Sequence, residues 1–237
     1  MPNAVATPAV HVREPDTATV LAFTTAVDGS YRLVAMGPRT RASYLAPKSV
    51  ALCVQLPIRT GRARPVLGVA VHELADRIVD LRELWGAPAR HLADELARLG
   101  PDVERIELRL AGAVADRLAA RSSAELARAD LVREAARRLV GAPGRLPEVA
   151  RSVGVSERHL RALFTDGVGM APKQFSSIRR VRGILDQLGP GDGWAALAAR
   201  AGYYDQSHLT AEFRGVMGVP PGAYRAGRLP AAAPCSA

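Results

Sequence analysis

The sequence predicts an α+β protein: a small antiparallel β unit with flanking helices, followed by an all-helical C-terminal half that contains two helix-turn-helix units. Three observations predict it. Short apolar runs broken by turn formers fill residues 19–71. Apolar residues recur at helical spacing from Val103 onward. A set of residues recurs at a fixed offset of 49 between the 150s and the 200s.

Residues 1–18 are rich in Pro, Ala and Thr and read as a flexible tail. TVLAFTTAV and YRLVAMG then flank Asp28-Gly29, a hairpin signal because glycine adopts φ > 0 at little cost. SVALCVQLPI gives a third strand and RTGRARP a turn. LADRIVDLRELWG and PARHLADELARLG read as short helices packed beside the strands. Pro101-Asp102 opens another helix, with Val103, Ile106, Leu110, Val114 and Leu118 along one face. Trp85 and Trp194 read as core anchors, and Cys53, inside an apolar run, as a core cysteine.

The C-terminal half begins with a capping box, Ser122-Ser123-Ala124-Glu125. Its helix runs to about Val140 and GAPG ends it. Helices follow over 146–153, 157–166 and 172–188, then a GPGDG loop, then helices over 194–201 and 206–215 and a last short one at PPGAYR. The tail, residues 229–237, reads as disordered. The domain scheme is therefore a β-rich domain with helices over 19–120 and an all-helical domain over 121–228.

Length and charge agree with that scheme. A chain of 237 residues fits two domains at roughly 100–150 residues each. With 48% hydrophobic and 23% charged residues it is no disordered chain, collagen or coiled coil. No apolar stretch approaches the ~20 residues of a membrane helix, and MPNAVATPAVHVREP does not read as a signal peptide. Cys53 and Cys235 make no disulfide framework, so a cytoplasmic location is expected. The net charge is +9. Residues 121–237 hold 17 basic and 10 acidic side chains, against 15 and 13 in residues 1–120. Most of the positive excess lies in the helical half, and a polyanion such as nucleic acid is the expected partner.

The repeat carries the functional reading. His159-Leu160 recurs as His208-Leu209, Phe164 as Phe213, Gly169 as Gly218, Pro172 as Pro221, and Phe175 as Tyr224. Upstream, Ala150 and Gly154 match Ala198 and Gly202 at offset 48, so the second copy has one extra turn residue. Each copy reads as helix, tight glycine turn, capping residue (Ser156 or Asp205) and second helix. In the first copy Arg158, Arg161, Ala162 and Thr165 face away from Leu160, Leu163 and Phe164. In the second, Gln206, Ser207, Thr210, Ala211 and Arg214 face out. A helix presented this way fits the DNA major groove, its first residues reaching base edges and its flanks the phosphates. Phosphate contact is expected of Ser156, Thr165, Lys173, Arg179 and Arg214.

Over about residues 126–228 the chain resembles the AraC/XylS transcriptional regulators. The resemblance lies in VARSVGVSERHLRALFTDGVGMAPKQF, LAARAGYYDQSHLTAEFRGVMGVPPGAYR and the G-x-x-P-x-x-[FY] ending of each copy. It implies a bipartite DNA-binding domain of seven helices, with Arg158 and Arg161 reading bases or lining the groove in the first unit and Gln206, Ser207 and His208 in the second. Relatives often carry arginine where Ala162 and Ala211 stand, so the target sequence does not carry over. SVALCVQLPIRTGRARPVLGVAVHELADRIVDLRELWG is similar to a small cupin-like N-terminal domain of one subgroup. That similarity implies an effector-sensing or dimerising role. Double-stranded DNA is the implied partner, with RNA polymerase, a small-molecule effector and a second copy as further candidates.

Plainer readings stand beside these. A surface arginine is ordinarily just solvated, His208 can pair with Glu212 at i+4, and His159 reads as a packing residue. His72-Glu73 lacks the second histidine of a zinc-peptidase helix, and no nucleophile elbow or P-loop is present. No cofactor, metal or enzymatic chemistry is expected. The alternatives are a nonspecific architectural DNA binder and an enzyme domain tethered to DNA.

Overall fold

The computed structural model describes residues 10–47, 50–141, 146–189 and 193–233. Cys235 and most of the GAPG and GPGDG breaks lie outside them. The chain divides into two compact units, Asp16–Thr40 with Val50–Arg180, and Met1–Pro15 with Arg41–Ser49 and Val181–Ala237. The division falls inside one helix, α8 (Pro172–Gln187), whereas the charge changes after Ala120. Among the described residues no helix is long and apolar enough to cross a membrane.

The larger unit is built on a four-stranded antiparallel sheet. Its order is β5 (Leu52–Ile58), β2 (Thr19–Thr25), β3 (Tyr31–Met36), β6 (Ile78–Asp80). The β2–β3 hairpin forms as expected: Gly29 sits at φ +83°, and the Ser30 N–H donates to Asp28 Oδ1 at 2.9 Å. Leu21 and Phe23 enter the main core, while Val20 and Ala22 cluster with Val34 and Met36 on the opposite face. Burial on both faces is what an unbroken apolar run such as TVLAF records. The main core is closed by α1 (Ala63–Leu67), α2 (Leu81–Trp85), α3 (Ala87–Arg98) and α4 (Val103–Ala119), which contribute Leu67, Leu81, Leu92, Leu96, Ile106 and Leu110.

Two expectations for this unit need correction. LADRIVDLRELWG is not a single helix. After a 3-10 turn over Val71–Leu74, Asp76 takes a left-handed φ of +58°, and its carboxylate accepts from the Thr40 N–H (2.7 Å) and hydroxyl (2.5 Å). That turn stops helical growth, and Ile78–Asp80 becomes the edge strand β6 before α2 begins. Cys53 is exposed, not core: β5 is the other edge strand, and its burial alternates so that Val54 is inside and Cys53 outside. Trp85 is a core residue, with the Arg117 guanidinium 4.9 Å from its ring centroid.

The capping box opens α5 (Ser123–Gly141). The Ser122 N–H donates to Glu125 Oε2 (3.0 Å) and the Glu125 N–H to Ser122 Oγ (3.3 Å). The Ser122 backbone and hydroxyl donors hold the Glu125 carboxyl below the ordinary carboxylate range. Then come α6 (Leu146–Ser152), α7 (Glu157–Val168), α8, α9 (Trp194–Arg200), α10 (Gln206–Met217) and α11 (Pro221–Arg225). With α5 these make seven helices among the described residues.

The smaller unit also departs from expectation. Within the predicted flexible tail, β1 (His11–Arg13) pairs antiparallel with β4 (Ser43–Leu45). Within the predicted C-terminal tail, the Ala233 N–H donates to the Tyr44 carbonyl (2.8 Å), and Ala233 bridges Leu45 in parallel. Backbone pairing orders both segments, and composition does not report it. Trp194 is half-buried, its ring edge-on to Phe213 and beneath the Arg225 guanidinium.

Candidate nucleic-acid interface

The first copy, α6–turn–α7, lies in the larger unit. Gly154 takes φ +73°, and the Val155 N–H reaches back to the Ala150 carbonyl (3.0 Å). Ser156 Oγ accepts from the His159 N–H (3.2 Å) and starts α7. Leu160 and Phe164 are fully buried, and Phe164 meets Phe175 edge-to-face at 5.1 Å. Gly169, at φ +86°, ends the helix by donating to the Thr165 carbonyl.

The second copy, α9–turn–α10, lies in the smaller unit and repeats these contacts. Gly202 takes φ +73°, the Tyr203 N–H donates to the Ala198 carbonyl (2.9 Å), and Asp205 Oδ1 accepts from the His208 N–H (2.7 Å). Leu209 and Phe213 are fully buried, Phe213 meets Tyr224 at 5.7 Å, and Gly218 donates to the Arg214 carbonyl at φ +76°. The offset of 49 is therefore an offset in packing as well as in sequence.

Each copy leaves a polar stripe exposed. On α7, Arg158 and Arg161 are exposed and Thr165 half-buried, at positions i, i+3 and i+7. On α10, Gln206, Ser207, His208, Ala211 and Arg214 are all exposed. Lys173 and Arg179 are exposed on α8. Arg161 is paired with Glu157 one turn earlier, so any other acceptor must compete with that carboxylate for it. The Ser156 oxygen is occupied by its capping bond, which leaves the hydroxyl proton free to donate.

Two of the plainer readings give way. His159 is exposed and not a packing residue. His208 meets Tyr203 edge-to-face at 5.2 Å, and the Tyr203 hydroxyl donates to Glu212 (2.6 Å), so the ring is steadied by a tyrosine of the turn. The sequence reading passed over Tyr204. It is the extra residue of the second turn and it is 94% exposed, directly before the cap of α10. The signal was present in the change of offset from 48 to 49, which marks an inserted residue at the mouth of the helix.

The first recognition helix also has a built environment on its other side. Asp166 pairs with Arg64 of α1 and lies 3.8 Å from His72 Nδ1. A Cβ on Gly169 would stand 2.8 Å from Pro38 and 2.9 Å from the Val71 carbonyl, and one on Gly167 would stand 3.2 Å from Val132 of α5. Loop, 3-10 turn and helix residues of the N-terminal half thus close around the C-terminal end of α7.

Compared with known families, residues 149–227 match the helix-turn-helix domain family. No curated protein matches the chain. Among solved structures, the C-terminal domain of AraT, a response regulator from Geobacillus stearothermophilus, is 24% identical with a TM-score of 0.39, covering 42% of this chain and 87% of its own. ToxT from Vibrio cholerae O395 is 10% identical with a TM-score of 0.42, covering 91% of this chain and 95% of its own. An unsaturated fatty acid-bound ToxT from Vibrio cholerae strain SCE256 is 10% identical with a TM-score of 0.40, covering 91% and 90%. Over residues 149–227 the chain carries a helix-turn-helix domain.

Proposed function

We propose that the protein is a cytoplasmic, sequence-specific regulator whose α7 and α10 enter successive major grooves, about 34 Å apart, on one face of DNA. The observation that carries this reading is the duplicated recognition helix, with Arg158, Arg161, Gln206, Ser207 and His208 exposed on the two copies. Thr165, Lys173, Arg179, Arg214 and the Ser156 hydroxyl serve the phosphates, and Tyr204 adds a contact at the mouth of α10. The mechanism is binding without covalent chemistry, and no cofactor takes part.

Residues 19–120 act as the sensing or dimerising half and residues 121–228 as the DNA-binding half. A cleft of about 650 Å³ between β5, α4 and α5, walled by Leu56, Val114, Leu118 and Leu126 with Arg59 and Arg133 beside them, is the candidate effector site. Its far wall, α5, packs on α7 through Val132 and Gly167. An occupant that moves α5 therefore shifts the DNA-competent population.

Footprinting on a site selected in vitro tests the reading. Protection on two successive turns of one face is expected, and protection of a single groove overturns simultaneous docking. An architectural protein would bind scrambled DNA almost as well, with a similar salt slope. A thermal-shift screen reports any effector, which raises stability by mass action.

A further inference from the structure

We propose that Arg41, which lies outside the helix-turn-helix domain, forms with Arg214 a two-guanidinium clamp for a DNA backbone phosphate beside α10. The proposal rests on the DNA-binding reading and adds a contact that neither the repeat nor the matched family contains.

Within the smaller unit the segment before β4 is fastened to the last turn of α10. The Ala42 N–H donates to the Val216 carbonyl (3.0 Å), and the buried Tyr44 hydroxyl donates to the Met217 carbonyl (2.7 Å). Both are carbonyls that a helix C-terminus leaves unsatisfied. The fastening fixes Arg41, one residue earlier, beside the exposed Ala211, Arg214 and Gly218. Arg41, Arg214, Ala211, Gly215 and Gly218 line one cleft of about 770 Å³. No carboxylate lines it, and neither guanidinium has a side-chain partner among the described residues. A Cβ at Gly215 or Gly218 would meet nothing within 4 Å, so the floor of the cleft is open to close approach.

Two unpaired arginines over a glycine-rich floor, continuous with a recognition stripe, suit a phosphate oxygen pair on the strand flanking the groove. The contact also gives the N-terminal half a direct hand in DNA affinity. Anything that displaces the β1–β4 pair removes Arg41 from the cleft.

The test uses the full chain and its selected DNA site. Binding is measured across a salt series for wild type, Arg41→Gln, Arg41→Lys and Arg214→Gln, with phosphate-ethylation interference on each. Both glutamine variants are expected to melt as wild type, to flatten the log–log salt slope by about 0.9 each, and to lose interference at the same phosphate. Arg41→Lys should restore most of the slope. An unchanged slope and interference pattern in Arg41→Gln, while Gln206→Ala still weakens binding, overturns the clamp and leaves the DNA reading standing. A wild-type chain that binds neither its site nor scrambled DNA removes the DNA reading itself. Inorganic phosphate bound in an Arg41-dependent way, with the DNA slope unmoved, assigns the cleft to a free anion and also overturns the clamp.

Discussion

In the first helix-turn-helix copy the glycine that ends the recognition helix, Gly169, is walled in by Pro38 and the Val71 carbonyl; in the second copy its counterpart, Gly218, stands in open space beside Arg41 and Arg214. The two glycines share a left-handed φ, +86° and +76°, and the same capping bond. The residues that the helix geometry demands are alike in both copies: the cap, the buried leucine and phenylalanine, the aromatic partner and the glycine. The residues that meet the surroundings differ. The first copy is built into the sheet-bearing unit and exposes arginines along its stripe. The second is held by the β1–β4 pair and exposes smaller polar groups and an inserted tyrosine. The two copies share one scaffold, and each is fastened to different residues of the N-terminal half.

The largest expected difference is in stability. Alanine at either glycine meets the left-handed penalty of about 1–2 kcal/mol. At Gly169 the added methyl also overlaps Pro38 and a backbone carbonyl, and such overpacking costs typically about 1–3 kcal/mol more. Gly169→Ala should therefore lower the denaturant midpoint of the larger unit clearly more than Gly218→Ala lowers that of the smaller. Trp85 reports the larger unit and Trp194 the smaller, which makes the two transitions separable by fluorescence. Equal losses would mean that the first copy is not gripped as its contacts imply.

DNA affinity should divide the copies next. Arg161→Ala is expected to cost about 1–3 kcal/mol and to relax preference at one base position, and Gln206→Ala to do the same one helical turn away. Glu157→Gln sharpens the comparison, because it releases Arg161 from its intrahelical pair. It should tighten DNA binding when Arg161 is present and do little in Arg161→Ala. Arg214, the basic residue of the second stripe, has no such intrahelical pair among the described residues. Tyr204→Phe should weaken binding by about 1 kcal/mol if the hydroxyl bonds a phosphate, with no change in melting temperature, since the ring is almost wholly exposed. Tyr204→Phe binding as wild type removes that contact.

What could be read from the sequence followed the local rules. Helix starts at Ser122, Ser156 and Asp205 were legible because a cap is a residue type at a fixed distance from a helix. The packing of Phe164 on Phe175 and of Phe213 on Tyr224 was legible through the repeat. The strand at Ile78–Asp80 was not, because its apolar pattern is too short to separate from the helix that follows. The ordering of His11–Arg13 and Ala233 was hidden for a different reason. Both are held by backbone hydrogen bonds to Ser43–Leu45, and side chains carry no record of those. Arg41 was invisible as a site residue on the same ground, since only the fastening of Ala42 and Tyr44 brings it to α10.

The smallest expected effect exploits the aromatic that follows each copy, Phe175 in the first and Tyr224 in the second. Burial pushes the Tyr224 hydroxyl up to about 12, and Glu14, which accepts from it at 3.1 Å, adds to the shift. An unfolded tyrosine titrates near 10, so the fold favours the protonated hydroxyl. Its contribution is fully present below about pH 10 and is lost as pH rises through 12. Phe175 has nothing to titrate. Raising the pH from 9 to 12 should lower the Trp194-reported transition by more than the Trp85-reported one, because the larger unit's raised tyrosine, Tyr31, is exposed and held up by its bond to Asp94, whereas Tyr224 and Tyr44 are raised by burial. Tyr224→Phe should shrink that alkaline loss without abolishing it, because burial also raises Tyr44, in the same unit. An alkaline loss of unchanged size in Tyr224→Phe would show that the Glu14 contact does not hold the second copy's aromatic partner in place.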